Sequence, residues 1–87
     1  MYVILVYDCG EKRVGKMLKL CRRYLSWIQN SVFEGEITAV KLRELELQAK
    51  EIMDTEEDSL IIFESRNERW LDKRIIGCER ASVDNFL

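Results

Sequence analysis

The sequence contains 87 residues, of which 34% are charged and none is histidine, and its formal net charge is −2. A chain of this length buries only about 60–65% of the surface that its unfolded form exposes, so we expect one domain that gains stability from a second copy. The near balance of charges argues against a polycationic nucleic-acid coat protein. The absence of histidine excludes imidazole-based triads and metal sites, so hydrolytic chemistry would have to use carboxylates, hydroxyls and a hard cation.

The charges are unevenly distributed along the chain. Residues 1–33 carry a net charge of +4 and the remaining residues −6, which predicts one basic face. Cys9, Cys21 and Cys78 lack any C-x-x-C spacing, which favours reduced thiols over a disulfide framework or a zinc cluster. No signal-peptide pattern or stretch of roughly 18 apolar residues is present, so we expect a cytoplasmic protein that does not associate with membranes.

The first half of the chain alternates strand-like and helix-like patterns. Residues 3–7 are β-branched and aromatic without polar alternation, which predicts a central strand covered on both faces or nearly so. Residues 27–29 and 32–37 predict two short strands joined by a tight turn at Asn30-Ser31. Between these strands, the three-four spacing of a helix is followed by Val14, Met17, Leu18, Cys21 and Leu25.

The second half continues the alternation. Thr38 is placed to cap a second helix, and the acidic run at 54–58 predicts a solvated loop before another buried strand at 59–63. The order strand, helix, strand, strand, helix, strand predicts an α+β, ferredoxin-like βαββαβ sandwich with its core at about residues 1–64. Helical spacing in the second helix is kept by Leu42, Leu45, Ala49, Ile52 and Met53.

The region at about 70–87 holds one more strand-like segment than this single domain needs. We expect a fifth short strand there, followed by a weakly ordered tail. Such a strand needs a sheet edge, and donation to the sheet of a second copy would form an exchanged homodimer. The residues of this predicted dimer strand are Ile75, Ile76, Gly77 and Cys78.

Asp8, at the end of the first predicted strand, has two interpretations. Asp8-x-x-Glu11 fits the spacing of a capping box, in which the carboxylate accepts a backbone N–H at a helix start. Alternatively, Asp8 is a Mg²⁺ ligand. A single carboxylate is a poor site for a divalent ion, but a two-fold axis passing nearby would bring two copies of Asp8 together.

The first helix also has two interpretations, as a solvated face or as a track for phosphates. Packing rather than base stacking is expected for Tyr2, Tyr7, Tyr24 and Trp27. Ser31 is interpreted as a turn hydroxyl because no general base lies beside it. The cations of the candidate nucleic-acid track are Lys12, Arg13, Lys16, Lys19, Arg22 and Arg23.

Three stretches together resemble the CRISPR-associated Cas-two (Cas2) family: YVILVYD at 2–8, QNSVFEGEI at 29–37 and DSLIIF at 58–63. The resemblance covers residues 1–79, and RIIG at 74–77 is similar to the family's exchanged strand. Tyr7-Asp8 matches the family's metal-binding aspartate position. The family motif Q-x-S-V-F-E is matched by Gln29, Ser31, Val32, Phe33 and Glu34.

The resemblance implies a ferredoxin-like homodimer and two candidate functions. Family members are described as non-catalytic bridges between two dimers of the CRISPR integrase (the Cas-one protein) in spacer acquisition, which implies an adaptor that binds double-stranded DNA. They are also described as endonucleases that cleave RNA or double-stranded DNA with Mg²⁺ or Mn²⁺. For this chain, that alternative implies a catalytic Asp8 pair at the dimer axis, with Ser31, Arg13 and Lys16 helping to position substrate.

Overall fold

The computed structural model describes residues 1–66 and 74–77, so Cys78 and the remainder of the predicted tail lie outside the described residues. The elements follow the predicted order and confirm the ferredoxin-like prediction. They are β1 (Tyr2–Asp8), α1 (Glu11–Arg22), β2 (Ser26–Gln29), β3 (Val32–Glu36), α2 (Ala39–Ile52) and β4 (Ser59–Ser65).

The four strands form one antiparallel sheet in the order β2-β3-β1-β4. β1 is therefore central, as its apolar sequence predicts. In the ladder between β1 and β4, Val6 lies opposite Ile61 and Asp8 lies opposite Ser59. Because alternate residues of a strand point to opposite faces, this register decides which side chains of β1 and β4 share a face.

The core lies between the two helices and one face of the sheet, which we call the inner face. Val3, Leu5 and Tyr7 of β1 are at most 3% exposed on this side. The helical spacing predicted for α2 is confirmed, with Leu42, Leu45 and Ala49 buried. The spacing predicted for α1 is confirmed at Met17, Cys21 and Leu25, which are buried, whereas Val14 is 40% exposed and Leu20, which was not predicted, is buried.

The opposite side of the sheet, the outer face, carries apolar side chains that neither α1 nor α2 covers. Ile4 and Val6 of β1 are half-buried there. Their neighbours on β4 are open, with Ile61 51% and Phe63 55% exposed. Within the described residues, the cover predicted for both faces of β1 is thus complete only on the inner face.

The two helix starts differ from each other. Thr38 caps α2 as predicted, since its Oγ1 accepts the backbone N–H of Lys41 at 3.1 Å. The capping-box interpretation of Asp8 is wrong, because Asp8 is still part of β1 and the N-cap of α1 is Gly10, which has no side-chain cap. The strand pairing of Asp8 with Ser59 keeps its side chain on the sheet rather than above the first turn of α1.

Two further segments bear on the predictions. The β2–β3 turn is confirmed, and Asn30 adopts the left-handed conformation there with φ 45°. Residues 74–77 form no strand within the single chain; Ile75 is half-buried and Ile76 is 98% exposed. Of the helices in the described part of the chain, none is long and apolar enough to cross a membrane.

Candidate functional site at the carboxyl end of β1

Asp8 lies at the end of β1 with an exposed side chain on the outer face. Ser59, its partner in the ladder with β4, is also exposed. Paired residues of an antiparallel ladder project to the same face with Cβ atoms about 4.5–5.5 Å apart. A carboxylate and a hydroxyl therefore lie side by side at this end of the sheet.

The oxygen donors at this position are of the type that a hard divalent cation prefers, but one chain supplies too few of them. Mg²⁺ prefers carboxylate oxygens and water in an octahedral shell, and Asp8 supplies one such carboxylate. The described residues of one chain contain no group of three or more His, Cys, Asp or Glu side chains that could hold a metal ion. A single protomer thus offers one carboxylate at this position, and the sharing of an ion by two copies of Asp8 stays a prediction.

Residues 54–57 are exposed, as predicted for this loop, and Asp58 is the departure from the sequence-based expectation. Asp58 is not solvated: its side chain is 1% exposed. Its carboxylate accepts hydrogen bonds from the guanidinium of Arg13 at 2.5 and 3.0 Å and from the backbone N–H groups of Gly10 at 2.8 Å and Asp54 at 2.9 Å. These donors, first the side chain of Arg13 and then the amide of Asp54, hold the pKa of Asp58 well below its usual range.

Arg13 differs from the other cations of the predicted track because it is engaged in this ion pair. Its guanidinium bonds Asp58 through two nitrogens and also contacts Glu57 at 3.3 Å. The remaining predicted cations are all exposed. They are Lys12, Lys16, Lys19, Arg22 and Arg23.

Four of these exposed cations share one side of α1. An α-helix turns by about 100° per residue, so positions 12, 16, 19 and 23 fall within about 60° of one another. Arg22 lies on a different side, where its guanidinium carbon is 5.7 Å from the centre of the Trp27 ring. We call the first group the basic stripe; it consists of Lys12, Lys16, Lys19 and Arg23.

Residues of the family motif mostly build the scaffold. Tyr7 points to the inner face, away from Asp8, and stacks on Phe33 with ring centroids 5.9 Å apart. Burial raises the pKa of Tyr7 to about 12. The carbonyl of Ser31 accepts the backbone N–H of Tyr7 at 3.2 Å, and Glu34 accepts the hydroxyl of Tyr2 on the outer face.

The other motif residues lie in and beside the hairpin. Gln29, Ser31 and Val32 are half-buried there. Ser31 occupies the turn, as predicted, and the register places Val32 beside Val6 on the sheet. The roles predicted for Ser31, Arg13 and Lys16 in positioning substrate stay predictions.

Sequence reasoning missed Asp58 and Ser59 as neighbours of Asp8. Their position in the sequence was the available signal. Both lie where an acidic loop meets the apolar strand β4, and an antiparallel β4 begins beside the end of β1. Cys9 and Cys21 are free thiols, as predicted, and Cys78 lies outside the described residues.

The fold and this site define a small ferredoxin-like protein with an exposed strand-end carboxylate beside a basic helix. Residues 1–73 match the family model for CRISPR associated protein Cas2, and the chain belongs to this family. A CRISPR-associated endoribonuclease Cas2 from Fusobacterium nucleatum is 44% identical over 100% of this chain and 87% of its own length. The one from Dictyoglomus turgidum is 42% identical over the whole of both chains.

Solved structures give the same result. A crystal structure of Cas2 superposes with a TM-score of 0.85 at 42% identity, covering 93% of this chain and 91% of that one. Streptococcus pyogenes Cas2 superposes with a TM-score of 0.72 at 28% identity, covering 85% of this chain and 99% of that one. The predicted family and the ferredoxin-like fold are thereby confirmed.

Proposed function

We propose that the protein acts in CRISPR adaptation as a homodimeric adaptor that binds double-stranded DNA and bridges integrase dimers during spacer acquisition. Membership of the Cas2 family supports the CRISPR assignment. The observation that carries the DNA-binding part is the basic stripe, which concentrates exposed cations on one side of α1 in a protein whose net charge is −2. In this proposal the protein works in the cytoplasm, and the edges of the dimer dock the integrase dimers.

The basic stripe has the length and charge that a nucleic-acid backbone requires. Its members lie between positions 12 and 23, and these 11 steps correspond to about 16 Å along the helix at a rise of about 1.5 Å per residue. Phosphates of one DNA strand are spaced about 3.4 Å apart along the duplex axis, so the basic stripe reaches several of them. Phosphate contacts of this kind give affinity without sequence preference.

The outer face supplies the support for dimerisation. Ile61 and Phe63 are about half exposed beside Ile4 and Val6, which makes a contiguous apolar surface on a chain of only 87 residues. Apolar patches of this kind mark association surfaces. A second copy seated on this face would cover it, and residues 75–78 would add to the β4 edge of the partner as an exchanged strand.

Charge reversal in the basic stripe tests the adaptor. Lys16→Glu with Lys19→Glu should weaken duplex binding for every sequence, because each lost phosphate contact removes about 0.9 from the slope of log K against log salt. We therefore expect the slope to flatten by about 1.8 units for each protomer on the duplex. Integration of a spacer by the reconstituted integrase mixture should fall in parallel.

The matched control reverses two exposed cations of α2, Arg43→Glu with Lys50→Glu, which changes the net charge equally. Duplex affinity over a salt series should separate the two double variants. Equal losses in both, or none in the basic-stripe variant, would show that the stripe is only a solvated face. Asp8→Asn should leave both duplex affinity and integration nearly unchanged.

A second candidate function, metal-dependent cleavage of RNA or double-stranded DNA, is favoured by Asp8. The family relatives are named endoribonucleases, and this chain keeps an exposed carboxylate at the end of β1. A bound Mg²⁺ or Mn²⁺ would supply a Lewis acid and an activated water. The protein's part would be to hold the ion through two Asp8 carboxylates and to orient the backbone of the substrate.

Asp8→Asn tests this second function. The amide keeps the shape of the side chain but loses the charge that holds a divalent ion, so metal-dependent cleavage of labelled RNA and duplex DNA should disappear while the dimer stays folded. The control is Glu11→Gln, which removes a carboxylate three residues away in the first turn of α1. Cleavage by Asp8→Asn at the wild-type rate, with contaminating nuclease removed, would contradict the site.

A further inference from the structure

The carboxylate of Asp58 joins the two loops that meet at the Asp8 end of the sheet. It accepts the backbone N–H of Gly10, in the connection between β1 and α1, at 2.8 Å. It also accepts the backbone N–H of Asp54, at the start of the connection between α2 and β4, at 2.9 Å. One side chain therefore fixes both connections.

Asp58 reaches Asp8 by two short routes. Along the chain, the Gly10 amide that it holds is two residues beyond Asp8. Across the sheet, Ser59 follows Asp58 directly and is the ladder partner of Asp8. The backbone on both sides of the Asp8 position is thus anchored to a single buried carboxylate.

Hydrophobic stability alone does not explain this arrangement. Burying a carboxylate is costly, and a well-packed apolar pair is often equally or more stabilising than a buried ion pair. What the charged pair adds is geometry: the planar guanidinium of Arg13 binds both oxygens of Asp58 at 2.5 and 3.0 Å and fixes the orientation of the carboxylate.

Glycine suits position 10 because of the space available there, not because of its backbone angles. Its φ of −60° is accessible to any residue. A Cβ placed there would lie 2.5 Å from Nη2 of Arg13, a nitrogen that is already bonded to Asp58. A larger residue at position 10 therefore requires the guanidinium of Arg13 to shift from this position.

We propose that Asp58 is a positioning residue for Asp8: it anchors the Gly10 amide and the start of β4 and thereby presents the Asp8 carboxylate to a divalent cation. This inference rests on the metal site of the second candidate function and adds to it a residue that touches neither the cation nor the substrate. Groups that orient a metal ligand typically contribute 10- to 100-fold to metal affinity.

The experiment measures binding of Mn²⁺ to the full chain by electron paramagnetic resonance, a readout that does not depend on cleavage. Asp58→Asn keeps the size of the side chain but removes its charge and should weaken Mn²⁺ binding by about tenfold or more. The control is Glu57→Gln. Glu57 also contacts Arg13, at 3.3 Å, but is exposed and does not touch Gly10, so its variant should bind within about twofold of wild type.

Two comparisons keep a structural effect apart from a positioning effect. Asp58→Asn should recover full occupancy at raised Mn²⁺ concentration, whereas Asp8→Asn should bind no Mn²⁺ at any concentration tested. If circular dichroism shows that Asp58→Asn is unfolded, Gly10→Ala replaces it as the test variant. This change forces the guanidinium of Arg13 to shift while both charges are kept. It should show the same loss of affinity.

The outcomes distinguish this inference from the function on which it rests. Wild-type affinity in Asp58→Asn, together with loss of binding in Asp8→Asn, overturns the positioning role and leaves the metal site standing. Mn²⁺ binding that survives in Asp8→Asn, or that is absent from the wild type, overturns both. If Glu57→Gln loses as much Mn²⁺ affinity as Asp58→Asn, the effect comes from the change in net charge alone, and the inference is also overturned.

Discussion

The two faces of the sheet differ in what covers them, although the same strands build both. On the inner face, Leu5 and Phe33 are completely buried under the helices. On the outer face, Ile61 and Phe63 remain about half exposed in the single chain. An uninterrupted apolar strand therefore indicates that both faces need a cover, but not that the chain itself supplies both. We assign the second cover to another copy of the protein.

The largest expected effect comes from truncating an aromatic ring on the inner face. Phe33→Ala removes a completely buried ring that stacks on Tyr7 and should reduce the free energy of unfolding by about 3–5 kcal/mol. Urea unfolding measures the loss. The control is Phe63→Ala, the same change on the outer face, which should cost less than about 1 kcal/mol under conditions where the protein is monomeric. Equal losses would contradict the distinction between the faces.

The next effect concerns association. In the proposed homodimer, Ile61→Ser with Phe63→Ser makes the outer face polar and should raise the dissociation constant by about 30-fold or more, since buried apolar anchors dominate interface energy. Sedimentation velocity over a concentration series gives the constant. Val40→Ser, at a 75% exposed position of α2, is the control and should leave it unchanged. If neither variant changes the dissociation constant, the dimer forms through another surface.

A smaller loss of association is expected when residues 73–87 are deleted. The deletion removes the predicted exchange strand but keeps Ile61 and Phe63 on the outer face, so it tests strand exchange apart from the packing of these two side chains. We expect a weaker dimer that still forms at high protein concentration. An unchanged dimer at low micromolar concentration would show that strand exchange does not hold the subunits together.

The smallest expected effect is the dependence of stability on pH through Asp58. Its pKa is lowered in the folded protein, so its contribution is fully present above the unfolded value of about 3.9 and is lost as the pH falls toward the folded pKa. Urea unfolding from pH 6 to pH 3 should show a decline that Asp58→Asn lacks. Parallel curves for the two proteins would exclude Asp58 as the source.

The fold was predictable because its signals are local. The three-four spacing of α2 and the apolar runs of β1 and β4 depend on residues near one another in sequence. The helix start at Gly10 was mispredicted because pairing with Ser59 extends β1 through Asp8. The turn at Asn30-Ser31 was found because its residue types favour tight turns.

The candidate site was only half predictable. Asp8 stands out because a carboxylate interrupts an apolar strand. Asp58 does not, because its acidic neighbours make it look solvated and its partners, Gly10 and Arg13, are 48 and 45 residues away. Long-range pairing of charged groups leaves no periodic trace in a sequence, so only the fold reveals which acidic residue is buried.

The two edges of the sheet bear on how large an assembly can grow. Among the strands of the described residues, β2 forms one edge with four residues and a bulge between Trp27 and Gln29, whereas β4 forms the other with seven residues in continuous register. Bulged, short edges resist addition of another strand. These four strands thus offer one regular edge in each copy. Reciprocal use of that edge closes a pair and leaves no regular edge of the four-stranded sheets open for a filament.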